Sequence, residues 1–197
     1  MKRGIDVAAA TIGLVLFAVP MLAVAAAIRV SMGSPVIFRQ QRPGKGGAPF
    51  ELLKFRTMRP PLSSERATDD DAMRITAVGA FLRRTSLDEL PTLWNVLRGD
   101  MSLVGPRPLL MEYLPLYSPE QSRRHVVRPG LTGWAQIHGR NDQTWEERLA
   151  MDVWYVDHQS LLLDLRIIAA TIGKVLSGAG VSSPGHATMP KFRGDKP

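Results

Sequence analysis

Two adjacent carboxylates, Asp88 and Glu89, are the residues whose types and spacing suggest chemistry most directly. They follow Ser86 at a predicted helix start, where free backbone amides and the helix dipole favour an ionised carboxylate. An ionised carboxylate is what a nucleophile or a Mg²⁺ ligand must be. The alternative is structural, because Ser86-x-x-Glu89 also fits a capping box that satisfies amides of the first helical turn. Pro91 is compatible with both interpretations.

Cationic residues crowd the acidic pair on both sides. Arg83 and Arg84 precede it, and Arg98 and Arg107 follow it. Arginine forms paired hydrogen bonds with phosphate oxygens, so these side chains suggest a clamp for a diphosphate. Simple ion pairs between the arginines and the acids are the alternative.

Three arginines lie in turns whose glycines and prolines restrict the backbone and so aim the side chain. The turns are Gly105-Pro106-Arg107-Pro108, Arg128-Pro129-Gly130 and Gly139-Arg140-Asn141. Each alone is an ordinary structural turn, but three of them in a basic chain with an acidic pair indicate a polyanion site. Lys54 and Arg56 add two cations, because residues two apart on a predicted strand share one face. A solvated strand face is the alternative for that pair.

The net charge of +7 and the isoelectric point near 10.2 favour an anionic partner. Such a partner is a nucleic acid, an acidic lipid surface or a phosphorylated substrate. The chain has no recognisable nucleic-acid-binding motif and its basic residues are scattered among turns, which argues against nucleic acid. The absence of cysteine excludes disulfides and thiolate metal sites, and the four histidines lack zinc-binding spacing.

An uncharged run from Val7 to Ile28 has about the ~20 residues that a membrane-spanning helix needs. Cations flank both of its ends, with Lys2 and Arg3 before it and Arg29, Arg39, Arg42 and Lys45 after it. The positive-inside rule then places both flanks on the cytoplasmic side, which a straight span cannot satisfy. A cleaved signal peptide is disfavoured because the run is long for its hydrophobic region.

Pro20 lies near the middle of this run, where it removes a backbone hydrogen bond and clashes with the preceding turn, so a bend is predicted there. A bent helix can return to the face from which it entered. On these grounds a re-entrant helix and a kinked spanning helix both remain open.

The remaining segments support a mainly helical domain. Apolar runs at 36–41 and 50–58, separated by a basic glycine-rich loop, predict a β-hairpin. Residues 59–71 predict a mobile loop whose three successive aspartates do not form a metal site. The leucine-rich stripe over 161–176 predicts a helix that either packs in the core or lies on a bilayer. The same two alternatives, burial or a membrane interface, apply to Trp134, Trp145 and Trp154.

The stretch from Ser86 to Pro108, with Arg128-Pro129-Gly130-Leu131-Thr132-Gly133 and Gln136-Ile137-His138-Gly139-Arg140-Asn141, resembles the core signature of the bacterial sugar transferases, the monotopic phosphoglycosyl transferases. The resemblance covers nearly the whole chain. It implies transfer of a sugar 1-phosphate from a UDP-sugar to polyprenyl (undecaprenyl) phosphate, with release of UMP, at the cytoplasmic face of the bacterial inner membrane.

The resemblance also implies a fold. We expect a mainly α structure with a small β-hairpin, a re-entrant membrane helix over 1–32, and a catalytic domain over 33–197 with surface-lying amphipathic helices. The family bends its helix at a Ser-Pro pair. Here Val19 precedes Pro20, so no side-chain hydroxyl assists the bend.

By the same resemblance Asp88 is the nucleophile and carries a covalent sugar-phosphate intermediate. Mg²⁺ is expected on Asp88, with Glu89 as a second ligand or a supporting acid. Asp152 is a candidate on the nucleotide or metal side. The alternative function is a non-catalytic basic module anchored to the membrane. The sugar and the oligomeric state stay open, a homo-oligomer included. The predicted anion-binding residues are Lys54, Arg56, Arg83, Arg107, Arg128 and Arg140.

Overall fold

The computed structural model describes residues 1–60, 74–139, 143–177 and 191–194 of the 197-residue chain. These residues form a mainly helical fold with two small two-stranded sheets, which confirms the predicted fold class in its coarse form. Arg140 and the three successive aspartates at 69–71 lie outside the described residues. The predicted division of the chain at residues 32 and 33 stays a prediction.

The hydrophobic run forms two helices, α1 (Lys2–Leu16) and α2 (Ala18–Met32), which meet at Phe17 with a bend of 61°. Pro20 lies in the first turn of α2 and cannot donate to the carbonyl of Leu16. The predicted bend is therefore confirmed, and it lies just before the proline. No single described helix is long and apolar enough to cross a membrane, whereas the bent pair together meets that test by length and composition.

The predicted hairpin is confirmed. Strand β1 (Ile37–Pro43) pairs antiparallel with β2 (Pro49–Phe55), so that Ile37 lies opposite Phe55 and Pro43 opposite Pro49. A short 3₁₀ turn at Lys45–Gly47 connects the strands. Its left-handed backbone at Gly46, with φ of 67°, suits a residue that has no side chain.

A second sheet was not predicted. Strand β3 (Ser102–Val104) pairs parallel with β4 (Gly130–Thr132). The adjoining backbones are so close that a Cβ atom on Gly130 would lie 2.1 Å from the amide nitrogen of Gly105. This contact explains the glycine in two of the three arginine-bearing turns, because a side chain would force the Gly105-Pro106 and Pro129-Gly130 segments apart.

The other helices surround these strands. They are α3 (Ala77–Thr85), α4 (Thr92–Arg98), α5 (Pro119–Ser122), α6 (Trp134–His138), α7 (Trp145–His158) and α8 (Leu161–Ser177). Helices α1 and α2 pack against the rest of the fold: Ala10 of α1 contacts the core around Val96 and Met101, and Ile28 of α2 contacts the core around Phe55 and Leu82.

The apolar stripe of α8 is divided between two environments. Leu163 and Ile167 are buried in the core beside Val104 and Tyr155. Most of the predicted stripe lies outside that core and leaves four large apolar side chains 40–60% exposed: Leu161, Leu162, Leu165 and Ile172. The core-packing alternative is therefore wrong for these four residues.

The three tryptophans divide in the same way. Trp145 lies in an aromatic cluster with Tyr113 and Phe192, which fits the burial alternative. Trp154 stacks on Trp134 with ring centroids 4.4 Å apart and remains 38% exposed. The exposed part of Trp154 leaves an interfacial position open to it, whereas Trp145 is partly buried against its cluster.

Candidate active site

The acidic pair lies on a tight turn between two helices. Helix α3 ends at Thr85, Ser86 takes a left-handed conformation with φ of 57°, and residues Leu87–Glu89 form a single 3₁₀ turn before α4 begins at Thr92. Ser86 makes no side-chain capping bond, and the carboxylate of Glu89 binds cations instead. The capping-box interpretation is therefore wrong, because the left-handed residue reverses the chain where the cap would have formed.

Glu89 gathers two of the predicted anion-binding cations. Its Oε1 accepts hydrogen bonds from Lys54 Nζ at 2.5 Å and from Arg107 Nη2 at 2.6 Å. Burial alone would raise the pKa of Glu89, but the charges of Arg107 and Lys54 outweigh it and hold that pKa well below its usual range. Glu89 therefore stays ionised and fixes Lys54 and Arg107 beside each other.

Asp88 has a different environment from its neighbour. Among the described residues, no hydrogen bond or ion pair engages its carboxylate, which is partly buried. Burial and then the negative charge of Glu89 raise the pKa of Asp88 to about 6, against the opposing effects of Lys54, Arg107 and Arg83. Asp88 is thus ionised at neutral pH and free to react, which is the state required of a nucleophile.

Arg83 lies at the edge of this group. Its Nε donates to Thr57 Oγ1 at 2.9 Å, and its Nη2 lies 3.0 Å from the sulfur of Met58. Its charge is close enough to lower the pKa of Asp88. The structure thus brings together five sequence-predicted site residues: Lys54, Arg83, Asp88, Glu89 and Arg107.

A buried ion pair supports Arg107 from behind. Arg124 Nη2 donates to Asp152 Oδ2 at 2.6 Å and to the backbone carbonyl of Arg107 at 2.7 Å, and its Nε contacts the same Asp152 oxygen at 3.1 Å. The side chains of Arg124 and Asp152 are only 1% and 3% exposed. Asp152 therefore lies behind the site as a partner of Arg124, rather than facing a nucleotide or metal.

Sequence reasoning missed Arg124. It lies in the polar stretch Ser122-Arg123-Arg124-His125, which reads as solvent-facing, and its partner Asp152 is on the distant helix α7. Its contact with Arg107 is to the backbone, and a backbone carbonyl gives no signal in the residue types. Only the fold identifies Arg124 as a support of the site.

Two predicted anion-binding residues are placed elsewhere. Arg56 is 7% exposed and donates to the carbonyls of Met32 at 2.5 Å, Gly33 at 2.8 Å and Ser34 at 3.0 Å, so it caps the carboxyl end of α2. Arg128 donates to the carbonyl of Gly99 at 2.8 Å. Gly99 follows the carboxyl end of α4, whereas the acidic pair precedes the amino end of that helix.

The donors near Asp88 suit a metal that arrives with a phosphate ligand. The described residues contain no group of three or more histidine or acidic side chains that could hold a metal by themselves. Mg²⁺ commonly binds one or two carboxylates together with substrate phosphates, and the unengaged Asp88 carboxylate fits that pattern. Glu89 fits it less well, since its Oε1 already holds two cations.

Comparison with known proteins agrees with this site. The chain matches the family model described as bacterial sugar transferase over residues 1–178. It is 50% identical over 194 residues to the "Uncharacterized sugar transferase EpsL" of Bacillus subtilis, covering 98% of this chain and 96% of that protein. It is 44% identical over 189 residues to the UDP-glucose:undecaprenyl-phosphate glucose-1-phosphate transferase of Caulobacter vibrioides, covering 89% of this chain and 70% of that protein.

A third relative is longer than this chain. It is the UDP-N-acetylgalactosamine-undecaprenyl-phosphate N-acetylgalactosaminephosphotransferase of Aeromonas hydrophila, 41% identical over 188 residues, which are 91% of this chain and 44% of that protein. The match at residues 1–178 includes the bent helices, the acidic pair and the buried ion pair behind Arg107. The chain therefore belongs to the bacterial sugar transferase family and is a phosphoglycosyl transferase, as its motifs predicted.

Proposed function

We propose that this enzyme transfers a sugar 1-phosphate from a UDP-sugar to undecaprenyl phosphate, through a covalent intermediate on Asp88. The observation that carries the proposal is the contrast within the acidic pair. Glu89 is engaged with Lys54 and Arg107, whereas the Asp88 carboxylate beside them is unengaged and ionised at neutral pH. The names of the Caulobacter and Aeromonas relatives support the two substrate classes.

In the first step an oxygen of Asp88 attacks the β-phosphorus of the UDP-sugar. The bond from that phosphorus to the oxygen bridging the two phosphates breaks, and UMP leaves with the bonding electron pair. Lys54 and Arg107 lie beside Asp88 and supply positive charge where the leaving phosphate gains negative charge. The product on the enzyme is an acyl phosphate that carries the sugar.

In the second step a phosphate oxygen of undecaprenyl phosphate attacks the phosphorus of this acyl phosphate. The bond between phosphorus and the Asp88 oxygen breaks, which regenerates the carboxylate and gives undecaprenyl-diphosphate-sugar. Division into two steps lets one anion site serve a water-soluble donor and a lipid acceptor in turn. Mg²⁺, held by Asp88 and substrate phosphate oxygens, would neutralise the diphosphate charge.

A re-entrant membrane helix fits the way in which α1 and α2 are held. At the start of α1, Lys2 Nζ binds Asp164 at 2.5 Å, and Arg3 donates to the carbonyls of Val96 and Leu97. At the end of α2, the carbonyls are capped by Arg56. Both ends of the bent pair are thus attached to one catalytic domain, which supports entry and exit at the same membrane face.

We also propose that the exposed apolar side chains of α8 contact the bilayer at the cytoplasmic face of the bacterial inner membrane. Four large apolar side chains of α8 are 40–60% exposed: Leu161, Leu162, Leu165 and Ile172. The same helix carries Asp164, which binds Lys2 at the start of α1. A bilayer surface would cover such a stripe. It would also place the active site within reach of a lipid phosphate.

The proposed reaction is tested by UMP release from a panel of UDP-sugars, with and without undecaprenyl phosphate and Mg²⁺. We expect sustained release only when a suitable UDP-sugar, the lipid phosphate and Mg²⁺ are all present. The alternative, a non-catalytic basic module anchored to the membrane, predicts no release with any sugar. Release that is unaffected by Asp88→Asn would reject the role proposed for Asp88.

A further inference from the structure

We propose that Arg42 is a further anion-binding residue of the active site and that its guanidinium contacts a phosphoryl oxygen of one of the substrates. The inference rests on the proposed function and adds a residue to it. In the sequence Arg42 counts only as one of the charges that flank the hydrophobic run. The structure places it beside the turn that carries Arg107.

Arg42 reaches the active-site turn from the hairpin. It lies near the end of β1, opposite Phe50 of β2. Its Nη1 lies 3.5 Å from the carbonyl of Pro108, the residue that follows Arg107 in the rigid turn. The hairpin thus contributes a cation at Arg42 as well as Lys54, whose strand pairs with that of Arg42.

The charge of Arg42 has no anionic partner among the described residues. Its Nη2 donates to Gln40 Oε1 at 2.6 Å and its Nη1 approaches a carbonyl, and both of these acceptors are neutral. Its Nε is buried and has no hydrogen-bond partner within the described ranges. Burial and then the positive charge of Arg107 lower the pKa of Arg42 to about 10, so Arg42 is still a cation at neutral pH.

Carboxylates neutralise the neighbouring cations but not this one. Glu89 pairs with Arg107 and Lys54, and Asp152 pairs with Arg124. A partly buried cation next to another cation is unfavourable unless an anion compensates it. A phosphoryl group bound between Arg42 and Arg107 would supply that compensation and would give the unpaired N–H groups of Arg42 acceptors.

Two sources of this phosphoryl group are distinguished by kinetics. We compare R42Q with R39Q, a control on the same strand whose exposed side chain pairs with Glu51 at 2.9 Å. Loss of one charge-assisted hydrogen bond to phosphate should raise a KM about tenfold or more. A rise in the KM for the UDP-sugar identifies the nucleotide diphosphate, and a rise in the KM for undecaprenyl phosphate identifies the lipid.

Two further measurements separate binding from folding. R42K keeps the charge and should recover most of the lost affinity, and R42Q should melt no lower than R39Q, because it removes an unneutralised cation. Stabilisation by inorganic pyrophosphate with Mg²⁺, measured as a rise in Tm of the full-length protein, should be weaker in R42Q than in R39Q. This readout requires no turnover.

The outcomes also distinguish this inference from the proposed reaction. If the wild type releases UMP but R42Q matches R39Q in both KM values and in pyrophosphate stabilisation, the role of Arg42 is rejected and the reaction stands. If the wild type releases no UMP while R42Q still loses pyrophosphate stabilisation, the reaction is rejected and the anion site stands. Equal impairment of R42K and R42Q, with a lowered Tm in both, would make Arg42 structural and would overturn the inference.

Discussion

Ionisation of Asp88 lowers the free energy of unfolding of the folded chain, and the Asp88→Asn variant measures by how much. In the folded chain burial and Glu89 raise the pKa of Asp88 from 3.8 to about 6. A raised carboxyl pKa means that the folded state binds the proton more tightly than the unfolded state does. Stability is then fully present below the unfolded pKa and falls as the pH rises through about 6. The difference between the two pKa values corresponds to at most about 3 kcal/mol.

Asn has nearly the shape of Asp but does not ionise, so the variant should escape this loss. At pH 8 we expect the free energy of unfolding of Asp88→Asn to exceed that of the wild type by about 1 to 3 kcal/mol. For a chain of this size that corresponds to a rise in Tm of roughly 2–12 °C. The gain should shrink below pH 6 and vanish near pH 4, where the wild-type carboxyl is also neutral. Turnover should be lost at every pH, because the nucleophile is gone.

The assay is thermal unfolding of both proteins in the same detergent from pH 4 to 8, with UMP release measured in parallel. Asp157→Asn is the matched control, since it removes an exposed ion pair with Arg123 and should change stability by less than about 1 kcal/mol. An Asp88→Asn variant that is no more stable than the wild type at pH 8, or whose gain does not depend on pH, would refute the reasoning.

Three further predictions concern catalysis, support and topology. In the wild type, kcat/KM should fall tenfold per pH unit below about 6 as Asp88 takes up a proton, and a profile that stays flat down to pH 5 would contradict this. Arg124→Met should lower the free energy of unfolding by about 3–5 kcal/mol, because it leaves the buried carboxylate of Asp152 unpaired. The control Arg123→Met, which removes an exposed ion pair, should lower it far less. Equal losses in the two variants, measured by thermal unfolding, would exclude a special role for the buried pair. Single cysteines at Gly4 and Arg39 should react from the same side of oriented vesicles, and labelling from opposite sides would show that the helix pair spans.

Several features were predictable from the sequence because each depends on local pattern. The hairpin follows from two apolar runs around a glycine-rich loop, and the bend follows from Pro20 in an uncharged run. The acidic pair was identified as a site because cations crowd it in sequence, and one of them, Arg107, pairs with Glu89 in the structure. Lys54, predicted as an anion-binding residue from its position on the hairpin, pairs with Glu89 as well.

Other features depend on contacts that residue types do not encode. Arg56 caps backbone carbonyls at the end of α2, and Arg124 holds the carbonyl of Arg107, so neither role could be predicted from a pattern of side chains. The parallel sheet of β3 and β4 has three-residue strands, too short to show a periodicity. The left-handed residue Ser86 was unexpected because a serine at that position favours a helix cap.

The most direct test of the proposed mechanism is mass spectrometry of the enzyme quenched after mixing with a UDP-sugar and Mg²⁺ in the absence of undecaprenyl phosphate. The proposed mechanism predicts a mass increase of one sugar phosphate on the peptide that contains Asp88, with UMP released in equal amount. Adding undecaprenyl phosphate should discharge the adduct. A preparation that turns over but shows no adduct on that peptide would contradict the covalent mechanism and would favour direct attack by the lipid phosphate.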